Sequence, residues 1–294
     1  MNAILESISM GGTVGELETR LKTLWGARWM PFGKGSETLY QTDRIKEIRN
    51  SLQQLLGVGA SGLCIGPHGV GKTVLMEQIL STLPEKLFSV MKLTHSSLTA
   101  SDLVRSLCYA MGVVPQMRRS DNIHQIHRHW QQRTTHSLLM VDEAQNLSAS
   151  ALEELRLLGC LPQKKEIHGF SLLLVGDENL LARMQMGINQ SLRSRLGFCL
   201  NLPPFNAQES KTYIDCRWRE VGVVVSPLEE AAYLLLHQAS GGIARLINHL
   251  IQLAIAQALE LHERQITTQH VQNAMTHLPW LIPLSAKNEP IDLR

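Results

Sequence analysis

Long apolar runs are absent from this 294-residue sequence: no stretch approaches the ~20 residues with which a helix crosses a bilayer. The opening MNAILESISMGGTVGELETR carries acids and lacks the basic start and long apolar core of a secretory leader. Cysteine is scarce. The five (Cys64, Cys108, Cys160, Cys199 and Cys216) are odd in number, widely spaced and contain no CxxC pair, so reduced core thiols in a cytoplasmic protein are expected. Charge of one sign is lacking as well. The net charge is +2, and residues from Asn206 onward carry 7 basic and 9 acidic side chains, which leaves +4 for residues 1–205. Such an imbalance is too weak to argue for nucleic acid from charge alone. Internal repeats, low-complexity segments and recognised base-reading motifs are missing too.

What remains is a soluble globular composition, 44% apolar and 18% charged, in a chain long enough for one large domain or two ordinary ones. Residues 1–40 are expected to form a peripheral extension whose stretch Trp25-Gly-Ala-Arg-Trp29-Met-Pro-Phe32 packs by its aromatics. Residues 42–57 place Ile45, Ile48, Leu52, Leu55 and Leu56 at helical spacing behind a Thr/Asp start. Strands are then expected over 62–65, 87–93, 137–141, 170–175 and 198–202. Between them fall helices over 72–82, from a Thr99 or Ser101 cap to Met111, and over 121–134, 149–159 and 178–186. Strands alternating with helices imply a parallel sheet covered on both faces. After Leu202-Pro203-Pro204 only helical patterns follow, over 206–221, 227–239, 242–261 and 267–277. The expected division is an extension (1–40), an α/β nucleotide domain (41–205), a small helical domain (206–278) and a loosely ordered tail (279–294).

Gly66-Pro67-His68-Gly69-Val70-Gly71-Lys72-Thr73 matches GxxxxGK(S/T) between a strand and a helix, the context that this motif requires. Its glycines let successive backbone N–H groups cradle phosphate oxygens. Lys72 supplies a charge to the β- and γ-phosphates of ATP, and Thr73 a hydroxyl ligand for Mg²⁺. His68 holds a variable loop position and is given no catalytic role. The strand Leu138–Val141 ends in Asp142-Glu143, at the sheet edge that faces the phosphates. Asp142 is expected in the Mg²⁺ shell, with Glu143 polarising the attacking water so that ATP is hydrolysed and not only bound. The spacing leaves room for the strand at 87–93 between the two motifs, which implies the P-loop division with an inserted strand beside the P-loop strand.

Two further polar positions fit this site. The strand ending at Val175 runs into Gly176-Asp177-Glu178-Asn179, where Asp177 or Asn179 would approach the γ-phosphate, or merely cap a helix. In the helix over 242–261, Arg245 lies about 200° from Ile243 and so leaves the apolar stripe. Weaker signals are His124, His127 and His129 in one polar helix; His129 lies about 140° from His124, so no three-ligand metal site is expected there. The pairs Arg118-Arg119 and Lys164-Lys165 could touch DNA phosphates or be ordinary surface charge.

Taken in order, LLMVDEAQNLSASALEELRLL (138–158), SLLLVGDENLL (171–181), LRSRLGFCLNLPPF (192–205) and SGGIARLINHL (240–250) make the chain resemble AAA+ ATPases over residues 30–278. The similarity is to the group that includes the ExeA/GspA proteins and the transposition regulators MuB, TniB and TnsC. It implies a P-loop parallel sheet sandwiched by helices and followed by an all-α lid. Asp177 falls at the sensor position after the fourth strand, where a glutamine is more usual. Arg245 falls at the second sensor in the lid, and Arg195 at an arginine finger that completes a neighbour's site in a ring or filament. Arg193 competes with Arg195, and if both lie on one helix only one faces the neighbour. Secretion members of the group add a membrane segment and a cell-wall-binding domain, neither of which is seen in this sequence. The resemblance therefore implies an ATP-loaded homo-oligomer on double-stranded DNA, with low sequence specificity, no membrane and a DDE-type transposase as partner. A protein-directed regulatory or secretion-assembly ATPase is the alternative.

Overall fold

The computed structural model describes residues 14–33, 40, 42–94, 98–160, 170–279 and 281; Gly11-Gly12, Lys164-Lys165 and the tail beyond 281 lie outside them. In chain order the elements are α1 (Val14–Trp25), α2 (Asp43–Gly57), β1 (Gly62–Ile65), α3 (Lys72–Thr82), β2 (Phe88–Leu93), α4 (Ala100–Ala110), α5 (Arg119–Gln132) and β3 (His136–Val141). A 3₁₀ turn, Ala144–Asn146, leads to α6 (Ala149–Leu158), β4 (Phe170–Gly176), α7 (Glu178–Gln185), a second 3₁₀ turn (Gly187–Asn189), the four-residue α8 (Gln190–Arg193) and β5 (Phe198–Asn201). Four helices close the chain: α9 (Ala207–Glu220), α10 (Glu230–Ser240), α11 (Ala244–Glu260) and α12 (Thr268–Thr276). Two compact units divide it, one of Gln41–Pro203 and one of Met1–Tyr40 with Pro204–Arg294.

The first unit holds a five-stranded parallel sheet in the order β2-β3-β4-β1-β5. Every residue of β3 is buried, as a strand covered on both faces requires. Leu63, Ile65, Leu139, Val141, Leu172 and Leu174 join one apolar core with Leu103, Leu107, Ile126, Leu152 and Leu155 from the helices. Helix starts follow side-chain chemistry. Thr42 accepts from the Ile45 amide, Ser148 from the Ala151 amide, and Thr99 forms a reciprocal capping box with Asp102.

A strand is inserted beside the P-loop strand, as expected, but it is not the strand at 87–93 that lies between the two motifs in the chain. Phe88–Leu93 pairs only with β3 at the outer edge of the sheet, and the strand inserted between β1 and β3 is β4. Register then aligns the functional ends. Ile65 lies opposite both Gly176 and Asn201, and Val141 opposite Leu174, so the segments following β1, β3 and β4 leave at one sheet edge.

In the second unit the N-terminal aromatics pack on α9: Trp25 and Phe32 meet Trp218 edge-on at centroid distances of 5.6 and 6.1 Å. The Trp25 indole also donates to the Arg264 carbonyl at 2.7 Å. Trp29 departs from the expectation and stays half exposed. The C-terminal region is helical as expected, with one isolated parallel bridge between Leu228 and Ile266. Gly241 and Gly242 both have positive φ. The Gly242 carbonyl accepts from the Phe205 amide at 2.9 Å, and the approach is so close that a Cβ on Gly242 would lie 2.0 Å from the Phe205 oxygen. Of the cysteines, Cys64 and Cys108 are buried core thiols as expected, but Cys160 and Cys199 are exposed. Among the described residues no helix is long and apolar enough to cross a membrane.

Candidate functional site

The loop between β1 and α3 is shaped by its glycines. Gly69 (φ 82°) and Gly71 (φ 104°) adopt left-handed backbone conformations that side chains resist. Gly66 has a different reason, because a Cβ there would meet the Leu202 carbonyl at 2.4 Å. Lys72, the first residue of α3, is buried and folds its ammonium back onto the carbonyls of Gly66 (2.8 Å) and Pro67 (3.0 Å). Among the described residues no carboxylate lies within ion-pair distance of it. A buried cation held only by carbonyls is poised for an anion, as a phosphate-binding lysine must be.

At the next residue, the Thr73 hydroxyl donates to Asp142 Oδ2 at 2.7 Å, while Asp142 Oδ1 accepts from the Glu143 amide at 2.9 Å. A hydroxyl beside a carboxylate, facing a phosphate loop, is the oxygen donor set that suits Mg²⁺, with phosphate and water filling the remaining positions. The residues fit Mg²⁺–ATP on those grounds. Among the described residues no group of three or more His, Cys, Asp or Glu side chains could hold a metal by itself.

Glu143 follows the strand in a left-handed conformation (φ 50°, ψ 39°), which a non-glycine residue adopts at a cost. Its Oε2 accepts from Gln145 Nε2 at 2.5 Å. Gln145 is in turn held by Arg183, whose guanidinium donates to its carbonyl, and a Cβ on Gly176 would meet Gln145 Oε1 at 2.6 Å. Neither Gln145 nor Arg183 stands out in the sequence. Gln145 lies in the DEAQN run, but nothing local says that its amide turns back on Glu143.

Asp177 caps α7. Oδ1 accepts from the amides of Asn179 and Leu180, and Oδ2 from the Asn179 side chain at 2.9 Å and from His68 at 3.0 Å. Burial pushes its pKa up, but the hydrogen bonds from Asn179, Leu180 and His68 outweigh that and hold it below the usual carboxylate value. His68 is thereby brought between two carboxylates, with its other nitrogen 3.7 Å from Glu143 Oε2. Cys64, on β1 behind the loop, is pushed up to about 12 by burial and is an inert core thiol.

The remaining candidates stand elsewhere. Arg195 is exposed and donates to the Gly159 carbonyl at 3.1 Å and towards Cys160 Sγ, at the C-terminal end of α6. Arg193, also exposed, reaches the carbonyls of Met184 and Gln185. Helix α8 stops at Arg193, so Arg195 lies in the turn beyond it and helical phase does not set the two arginines apart. Arg245 is exposed in the first turn of α11, in the second unit. Arg118 and Arg119 are both exposed, but Arg119 is committed to an ion pair with the buried Glu154. His129 accepts from Arg133 at 2.8 Å; burial, then that neighbouring charge, lowers its pKa.

Residues 57–184 match the family described as an AAA domain. General secretion pathway protein A of Aeromonas hydrophila is 28% identical over 226 residues, which cover 75% of this chain and 41% of that protein. Mu-like prophage FluMu DNA transposition protein B of Haemophilus influenzae is 28% identical over 156 residues, covering 53% of this chain and 48% of that one. The chain thus spans less than half the length of either curated relative. Among solved structures, the Aeropyrum pernix ORC1 protein in complex with DNA shares the fold at a TM-score of 0.62, with 16% identity, 84% of this chain and 68% of that one covered.

Proposed function

We propose that this chain, whose residues 57–184 match an AAA domain, is a cytoplasmic Mg²⁺-dependent ATPase that assembles with its own copies on double-stranded DNA and acts with a DDE-type transposase. The meeting of Lys72, Thr73, Asp142 and Glu143 in one cluster carries the chemistry. Backbone amides of 66–71 and the Lys72 ammonium bind the phosphates. Thr73 and Asp142 would hold Mg²⁺, which when bound would neutralise phosphate charge. Glu143 orients the attacking water and takes its proton. Arg195 contacts phosphate from a neighbouring copy.

The DNA-directed part is supported by similarity to transposition protein B and by a fold shared with a protein solved on DNA. A protein-directed secretion ATPase is the second reading, because general secretion pathway protein A matches more of the chain at the same identity. Duplex-DNA binding by Glu143→Gln protein separates the two when measured with ATP, with ADP and with neither. The DNA reading requires tight, sequence-independent binding with ATP alone that weakens steeply as salt rises. Equal, weak binding in all three states leaves the secretion-type reading.

A further inference from the structure

We propose that His68, and not Asp177, is the side chain that reads the terminal phosphate of the nucleotide, with Asp177 acting as the buried anchor that holds the imidazole in place. The proposal rests on the nucleotide-site reading above and deepens it. A carboxylate offered directly to a γ-phosphate would repel it, so an acidic residue at the end of β4 needs another explanation. Its hydrogen bonds supply one. A carboxylate has about four acceptor positions, and at Asp177 all are taken: two by the α7 amides, one by the Asn179 side chain and one by His68. The Asp177 side chain is 10% exposed, that of His68 58%. What the pair offers to the space above the phosphate loop is therefore an imidazole.

Placement agrees. His68 belongs to the loop that cradles the phosphates, and the nitrogen turned away from Asp177 lies 3.7 Å from Glu143, the residue assigned to the attacking water. A ring positioned between the water-orienting carboxylate and the end of β4 stands where the third phosphate, and not the second, would arrive. Before it arrives, the ring rests between Glu143 and Asp177; afterwards a phosphate oxygen displaces Glu143 as acceptor, the ring then being the imidazolium that donates one N–H to Asp177 and the other to the phosphate. Asp177 acts only through the ring and is a positioning residue.

The experiment is calorimetric titration of ATP and of ADP, each with Mg²⁺, into wild type, His68→Ala, Asp177→Ser and the double variant. Serine retains an oxygen that can cap α7 but is too short to hold His68, which separates anchoring from folding. Each single variant should lose about tenfold in ATP affinity while ADP affinity stays within about twofold. The double variant should lose no more than either single one, since the two residues form one unit. Wild-type discrimination between ATP and ADP that survives in His68→Ala, or losses that add in the double variant, would overturn the proposal alone. Wild type that binds neither nucleotide would overturn the nucleotide-site reading and this proposal with it.

Discussion

Lys72 and Glu143 lie at opposite ends of one small network, and their substitutions should fail differently. Lys72→Ala deletes the buried ammonium drawn into the loop, so nucleotide binding itself should be lost in a titration. Glu143→Gln keeps the shape and the hydrogen bond from Gln145, and so should still bind ATP while hydrolysis falls by roughly 10² or more. Near wild-type turnover in Glu143→Gln would remove that carboxylate from the chemistry. Gln145→Leu offers a finer test. It fills similar space but releases Glu143 Oε2, so kcat should fall about tenfold with the affinity for ATP unchanged. An unaltered kcat would make the Gln145 contact incidental.

At the scale of elements, the glycines of the second unit are a sharp test of backbone geometry. Gly241 and Gly242 share a left-handed backbone, but a Cβ at Gly241 has open space and one at Gly242 collides with Phe205 backbone. Gly241→Ala should therefore cost about 1 kcal/mol and Gly242→Ala about 2 kcal/mol or more in thermal unfolding. Equal losses would show that conformation alone, and not the approach of Phe205, requires glycine there. Much of the fold is legible in the amino-acid sequence at this same scale. All five strands and the helices from α2 to α7 lie within a few residues of their expected positions, because periodic burial of Leu, Ile and Val writes them locally. Helix α1 is not legible, although Leu17, Leu21 and Trp25 recur every fourth residue, since Gly15 and a run of polar residues dilute the pattern. Strand order escapes for a deeper reason: pairing joins segments as far apart in the chain as Gly62 and Phe198, and no local pattern records it. The candidate site divides in the same way. Its contiguous loop and acid pair are legible, whereas the His68–Asp177 contact spans 109 residues and is not.

For the molecule as a whole, the proposed role of the exposed Arg195 is exercised only if copies meet. Arg195 touches the end of α6 in its own subunit. On the proposed trans role, Arg195→Ala should bind ATP normally yet hydrolyse it poorly. Mixing it with Lys72→Ala should restore part of the rate, since one variant retains the arginine and the other an intact loop. No recovery, at concentrations where wild type assembles, would count against a shared site. Glu143 adds a consequence for how such a protein can change. Its left-handed backbone is a conformation that glycine or asparagine would accept with less strain. A library of variants screened only for heat resistance should thus accumulate Gly or Asn at position 143, becoming hardier as it becomes inert. On the proposed role of Glu143, endurance and turnover pull this one position in opposite directions, and only a screen that also demands hydrolysis should retain the glutamate.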